Sequence, residues 1–232
     1  MMPATVSVII PVHNAELYLN ETLSTLSGVE RIEEIVIVDD SSTDRSIEVA
    51  QEFARTTPLP LVFVSTPGEK PLGPSAARNL GAKVVKGEIL WFLDADDLYE
   101  GGPRDPRLSA MDDGADIVAG TIRFFRDGSE SREWARPLQA LAVSTPLIRK
   151  SAFLQVQGFD ETMWLGEDLD LMARLEAADF TIERVDALII SYRQHEASLT
   201  HRFSDARAKG VLGAARNLIL RARAQTENEG EA

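Results

Sequence analysis

At 232 residues and 44% apolar content, the chain is long enough to bury a sizeable core as one domain or two small ones. Its net charge of −13 excludes a broad nucleic-acid surface, which needs clustered basic groups, while leaving room for a compact anion met through a metal. The lack of cysteine excludes a disulfide framework, a thiolate zinc site and a thiol nucleophile, and is compatible with the cytoplasm.

The opening "MMPATVSVIIPV" has no basic leader, and its apolar run is too short to cross a bilayer, so it reads as a first strand ending near Pro11. No later segment reaches spanning length. "NAELYLNETLSTLSG" follows as a helix, with Leu17, Leu19, Leu23 and Leu26 as its apolar stripe and Gly28 as its stop. "EEIVIVDD" is a second strand. "SSTDRSIEVAQEFARTT" is a second helix, with Ser and Thr as capping candidates and Ile47, Ala50, Phe53 and Ala54 at helical spacing. "LVFVST" is a third strand, "SAARNLGAKVVKG" a helix after a Pro and Gly rich loop, and "EILWFL" a fourth strand.

Strands apolar throughout and separated by single helices predict an α/β fold with a mostly parallel central sheet flanked by helices. In such sheets ligands sit beyond the carboxyl ends of the strands. The polar residues just past those ends, Pro11 to Asn14, Asp39 with Asp40, and Asp94 to Asp97, are expected on that one edge.

After Asp97 the periodicity weakens. "ADIVAGTIRFF" reads as a strand, "RDGSESREW" as a hairpin tip or loop, "STPLIRKSAFLQVQGFD" as a short strand and helix, "GEDLDLMARLEAADF" as a helix, and "TIERVDALIISYR" as a pair of short strands. From Asp205 a basic amphipathic stripe predicts a helix that packs on the domain or on a second subunit, or lies on an anionic membrane surface. The expected division is one unit over 1–204, in two halves at 1–100 and 101–204. The helix and an acidic tail then occupy 205–232.

The turn after the first strand, "PVHNAE", carries no glycine, which excludes a dinucleotide-binding turn, and there is no P-loop. A diphosphate at this edge therefore calls for a cation. Asp94 and Asp96 offer the hard oxygen ligands that Mg²⁺ or Mn²⁺ prefers. Asp39 and Asp40 read equally as an Asx-turn and cap or as a carboxylate facing base or ribose donors. Arg78 reads as a surface arginine or as one leaning toward the sheet edge.

Helical geometry puts Asp168 on the face of Leu171, Met172 and Leu175, pointing inward at the start of its helix, where the helix N-terminus favours an ionised carboxylate. Asp170 lies opposite and can pair with Arg174 at i+4.

Taken in order, "VSVIIPVHNAELYLNETLSTL", "EIVIVDDSSTD", "GPSAARNLGA", "GEILWFLDADD" and "GFDETMWLGEDLDLMARL" resemble family two of the inverting glycosyltransferases, which have the GT-A fold, over roughly residues 5 to 200. The resemblance implies a metal-dependent transferase moving a sugar from a nucleotide-diphosphate donor to an acceptor hydroxyl, with Mg²⁺ or Mn²⁺ as cofactor. It implies that Pro11, His13, Asn14, Asp39 and Asp40 hold the nucleoside, with His13 standing where the family commonly carries an aromatic. It also puts Arg78 near the diphosphate, Asp94 and Ala95 on the donor, and Asp96 on the metal. Asp97 then supports the ligand or caps the turn, and Asp168 is the catalytic base. His195, in "YRQHEASLTHR", is a further candidate metal ligand.

A glycan, a lipid-linked glycan or a small glycoside all suit as acceptor, in the cytoplasm or peripheral to a membrane through the C-terminal helix. The processive members' Gln-x-x-Arg-Trp motif is absent, which implies one sugar per encounter. Among competing readings, a haloacid-dehalogenase-type phosphotransferase needs a Thr where Leu98 stands, and a nucleotidyltransferase needs a Gly-rich basic loop after the first strand. A sugar-nucleotide binding module would not need Asp40, Asp96 and Asp168 together.

Overall fold

The computed structural model describes residues 3–126, 136–139, 142–163 and 166–195. The loop read beyond Arg126, the end of the catalytic unit at residue 204 and the helix and tail over 205–232 lie outside the described residues. The first half of the chain runs β1 (Val6–Val12), α1 (Leu19–Thr25), β2 (Ile32–Asp39), α2 (Ser46–Ala54), β3 (Leu61–Ser65), α3 (Pro74–Val84) and β4 (Ile89–Phe92). It continues with β5 (Leu98–Tyr99), α4 (Arg107–Asp112), β6 (Ile117–Arg126), β7 (Leu138–Gln139), β8 (Pro146–Arg149), α5 (Lys150–Gln155), α6 (Glu167–Ala177) and β9 (Ile182–Gln194).

Among the described residues the strands form one sheet in the order β3-β2-β1-β4-β8-β6-β9-β5, with β7 paired to β6. The parallel arrangement expected from sequence covers β3, β2, β1 and β4. Beyond β4 the sheet is mixed, because β8 enters antiparallel between β4 and β6, and β5 lies antiparallel on β9. Alternate residues of the central strands face opposite layers. Val8, Ile10, Val12, Ile35 and Ile37 pack with Leu19 and Leu23 of α1 and Phe53 of α2. Ile9, Val36, Val38 and Phe92 pack with Ala77 and Ala82 of α3, Phe153 of α5, and Leu171 and Leu175 of α6. Burial on both faces is why these strands read as unbroken apolar runs.

Three local expectations change. Leu17 is 79% exposed, because α1 begins two residues later at Leu19 and only Leu19, Leu23 and Leu26 turn inward. The N-cap of α2 is Arg45 rather than a Ser or Thr, with no side-chain cap, and Asp44 just before it accepts from Ser46 N at 3.0 Å. The expected pair of short strands after Phe180 is the single strand β9, Ile182–Gln194, which carries a bulge. Ala119 lies opposite Arg184 and Thr121 opposite Leu188, so the extra residues are absorbed without a turn.

Pro11 lies inside β1, opposite Val38 of β2. Its missing donor is tolerated because the pairing with β4 ends at Ile9 opposite Phe92, leaving Pro11 past that ladder. Against β1 and β2, α3 packs so closely that a Cβ on Gly81 would meet Ile9 Cγ2 at 2.5 Å and Val38 Cγ2 at 3.0 Å. Gly81→Ala is therefore expected to destabilise the fold by about 1–3 kcal/mol, despite its better helix propensity. Urea unfolding checks this, through a lower midpoint at unchanged slope.

Candidate active site

The parallel register brings the carboxyl ends of β1, β2 and β4 to one edge, since Val12 lies opposite Asp39 and Ile9 opposite Phe92. On the β1 and β2 side, two loops are stitched together. Asn14 takes a left-handed φ of 53°, which Asn tolerates, and its Oδ1 accepts from Thr43 N at 2.8 Å. His13 Nδ1 lies 2.7 Å from the Asp40 carbonyl; a carbonyl only accepts, so that nitrogen carries the proton. His13 and Asn14 are exposed beside this seam.

Asp39 and Asp40 have different duties. Asp39 Oδ1 accepts from Ser42 N at 2.9 Å, which is the Asx-turn reading. Asp40 is buried, and both its oxygens are engaged: Oδ1 by Thr66 Oγ1 at 2.7 Å and Leu72 N at 2.8 Å, and Oδ2 by Gly73 N at 2.8 Å. It braces the loop that leads into α3, and its carboxylate points into the fold rather than outward. Both results come from local geometry that sequence spacing left open.

At the end of β4 the acids divide by partner. Asp94 Oδ1 accepts from Arg78 Nη2 at 2.7 Å, while Arg78 Nη1 reaches Glu167 Oε1 at 2.8 Å. Arg78 is 3% exposed, so the surface-arginine reading fails, and it is a buried bridge between the acid turn and the first residue of α6. Burial works against its charge, yet Asp94 and Glu167 hold its pKa above the ordinary value. Ala95 contributes its carbonyl, which accepts from Thr22 Oγ1 of α1 at 2.9 Å.

Asp96 Oδ2 lies 2.8 Å from His195 Nε2. Asp97 is fully buried, and accepts from Ser144 Oγ at 3.0 Å and from Arg193 N at 3.2 Å. Burial first, then the charges of Asp96 and Asp94, push its carboxyl well above the usual range. Asp97 thus joins the acid turn to β9 and to the turn before β8, and is not available as an outward ligand.

Asp168 is half-buried beside Leu171 and Met172 on a small cleft also lined by Ala142, Val143, Pro146 and Ile148. Its Oδ1 accepts from Leu169 N at 2.8 Å. Asp170 pairs with Arg174 at 2.7 Å on the other side, as helical spacing predicts. Burial outweighs the helix N-terminus that was expected to favour an ionised Asp168. Burial first, then the neighbouring Glu167 carboxylate, push its carboxyl up to about 6, against the Leu169 bond and the charge of Arg78.

Among the described residues no three or more His, Asp or Glu side chains converge as a metal cage. Asp96 and His195 nevertheless present an oxygen and an imidazole nitrogen to one another, partly exposed at 27% and 11%. Two protein ligands fit a Mg²⁺ or Mn²⁺ shared with substrate phosphates, because such ions are usually held by one or two side chains plus the phosphates. Glu167, Arg193, Tyr18 and Ser144 were not singled out by sequence. A buried arginine in the apolar strand "LIISYRQ" was the one available signal.

The family model described as Glycosyl transferase family 2 matches residues 7–169. The minor teichoic acid biosynthesis protein GgaB of Bacillus subtilis is 31% identical over 191 residues, covering 72% of this chain and 20% of that protein. The chain spans 20% of the length of GgaB and 62% of that of another relative, the uncharacterized glycosyltransferase EpsJ of Bacillus subtilis. A crystal structure of S. aureus TarS 1-349 in complex with UDP-GlcNAc superposes with a TM-score of 0.67 at 21% identity, over 87% of this chain and 61% of that one. The mannosyltransferase PcManGT from Pyrobaculum calidifontis, in complex with GDP-Man and Mn²⁺, gives a TM-score of 0.66 at 16% identity, over 87% and 59%. At these identities the likeness establishes the shared fold, the GT-A arrangement expected from sequence.

Proposed function

Since the chain belongs to glycosyl transferase family 2, we propose that it moves a sugar from a nucleotide-diphosphate donor to an acceptor hydroxyl, inverting the anomeric carbon, with a divalent metal at Asp96 and His195. One observation carries this reading: buried Arg78 pairs with both Asp94 and Glu167, a residue 89 positions away. The acid turn on the donor side and the helix that bears Asp168 are thereby neighbours at one sheet edge.

In this mechanism His13 and Asn14, on the seam beyond β1, present the surface to the nucleoside, Pro11 sets the strand end beneath them, Asp39 holds the turn after β2, and Asp40 braces the loop into α3. Asp94, oriented by Arg78, meets the donor's ribose or sugar, with Ala95 fixed beside it. Mg²⁺ or Mn²⁺ held by Asp96 and His195 would supply positive charge for the diphosphate as it leaves. Asp168, as carboxylate, accepts the proton of the acceptor hydroxyl while that oxygen attacks the anomeric carbon from the opposite side. A side chain poised near pH 6 suits that task at neutral pH, being ionised yet still basic.

The names of two relatives, the minor teichoic acid biosynthesis protein GgaB and an undecaprenyl-phosphate 4-deoxy-4-formamido-L-arabinose transferase of Pseudomonas savastanoi, favour a glycan or lipid-linked acceptor. Among the described residues no helix is long and apolar enough to cross a membrane. The test is a panel of UDP-, GDP- and dTDP-sugars with Mn²⁺ and a mixture of glycan acceptors. Release of nucleoside diphosphate, with an inverted anomeric configuration in the product by NMR, is the expected result. Release of inorganic phosphate, or no turnover of any donor, defeats the reading.

A further inference from the structure

We propose that Tyr18 is a positioning residue that holds the His195 imidazole against Asp96. The inference rests on the reading that Asp96 and His195 hold a divalent cation together with the nucleotide. β9 ends at Gln194, so His195 lies past the last ladder residue and its ring direction is set by side-chain contacts. One of these is Tyr18, whose ring lies 4.4 Å from the imidazole, centroid to centroid, at 39°.

Tyr18 is itself firmly placed. It sits at the N-cap of α1, its N donates to the Ala15 carbonyl at 3.0 Å, and its carbonyl accepts from Thr22 N at 3.1 Å. The Arg193 guanidinium stands 4.9 Å from the Tyr18 ring centroid and an equal 4.9 Å from Phe125. Arg193 is 2% exposed, and its Nε donates to the Asp96 carbonyl at 2.9 Å while Nη2 reaches Glu21 of α1 at 2.6 Å.

The start of α1 and the end of β9 therefore meet around Asp96. Arg193 fixes the backbone of Asp96. Tyr18 presents a flat apolar surface to the imidazole, which keeps Nε2 directed at Asp96 Oδ2 rather than rotated away. Groups of this kind orient the ligands of a metal, and their loss typically weakens metal affinity by about 10–100-fold.

The test measures metal binding rather than turnover. Mn²⁺ is titrated into the full chain in the presence of UDP, and in a parallel series GDP, with free Mn²⁺ followed by electron paramagnetic resonance. Tyr18→Phe keeps the ring and is expected to stay within about twofold of wild type. Tyr18→Ala is expected to raise the Mn²⁺ dissociation constant by about 10–100-fold, with metal-free nucleotide binding by calorimetry unchanged. In a His195→Ala background, Tyr18→Ala should cost nothing further, because it acts through that ring.

Unchanged Mn²⁺ affinity in Tyr18→Ala overturns the proposal. So does an additive loss in the double variant, or an equal loss of metal-free nucleotide binding, which would mark a merely structural role. If the wild-type chain binds no Mn²⁺ with either nucleotide, the metal-site reading beneath the proposal falls instead.

Discussion

Asp168→Asn is expected to lower the rate of sugar transfer by about 10²–10⁴-fold while leaving donor and Mn²⁺ binding intact. An amide keeps the shape of the carboxyl and can still accept from Leu169 N, but it takes no proton from an acceptor hydroxyl. Steady-state transfer, with calorimetry of the nucleoside diphosphate, separates the two effects; full activity in the variant places the base elsewhere. The wild-type pH profile follows from the same group. The carboxyl is pushed up to about 6 by burial and by Glu167, and only its ionised form acts, so kcat/KM should fall about tenfold per pH unit below 6 and level off above it. Glu167→Gln removes one cause of the rise and should move that limb to lower pH.

Stability gives an independent readout of Asp168. Its folded pKa, about 6, lies above its ordinary value of 3.8, so ionisation is harder in the folded chain. The penalty is absent below about pH 4, grows as pH rises from there to about 6, and stays constant beyond. Asp168→Asn should therefore stabilise the fold at pH 8 by about 1–3 kcal/mol and have little effect at pH 4. A carboxyl that costs stability at working pH is the pattern expected of a functional site held in tension by its surroundings.

The parts of this molecule that were legible in the sequence are those set by period. Residues of β1, β2 and β4 are buried on both faces, so their apolar runs are continuous and the edge carrying Asp39, Asp40 and Asp94 to Asp97 follows from parallel order. The inward set of α6, Leu171, Met172 and Leu175, follows from helical spacing and brings Asp168 with it. What did not follow is pairing at long range. Nothing local says that Arg78 reaches both Asp94 and Glu167, or that Arg193 lies beneath Asp96. Nor does the triplet of acids announce that Asp97 turns inward to Ser144 while its neighbour Asp96 meets His195. Period fails at β9 for a related reason, since its bulge opposite Thr121 belongs to its long-range register with β6.

That division of the acids underlies the second large effect. Asp96→Ala is expected to abolish the Mn²⁺-dependent part of nucleotide binding and to lower transfer by about 10²–10⁴-fold, the equivalent of the several kcal/mol a metal supplies to a departing diphosphate. Each neighbour is unsuited to the role. Asp94 is already neutralised by Arg78 at 2.7 Å, within a buried bridge whose disruption would leave Arg78 with one fewer carboxylate partner. Asp97 is enclosed, its oxygens engaged by Ser144 and Arg193, and its carboxyl resists ionisation. Asp96 alone of the three combines partial exposure with an imidazole for a partner, and neutral imidazole and carboxylate together are a ligand set for Mg²⁺ or Mn²⁺. In Asp96→Ala, His195 loses that partner but Arg78, Asp94 and Glu167 keep theirs, so the fold and the metal-free nucleotide affinity should persist. Calorimetry of UDP and GDP with and without Mn²⁺ decides the matter. Binding by the wild type that is indifferent to Mn²⁺, or a variant whose Mn²⁺ response is unchanged, removes Asp96 from the metal and returns the acid turn to a structural role.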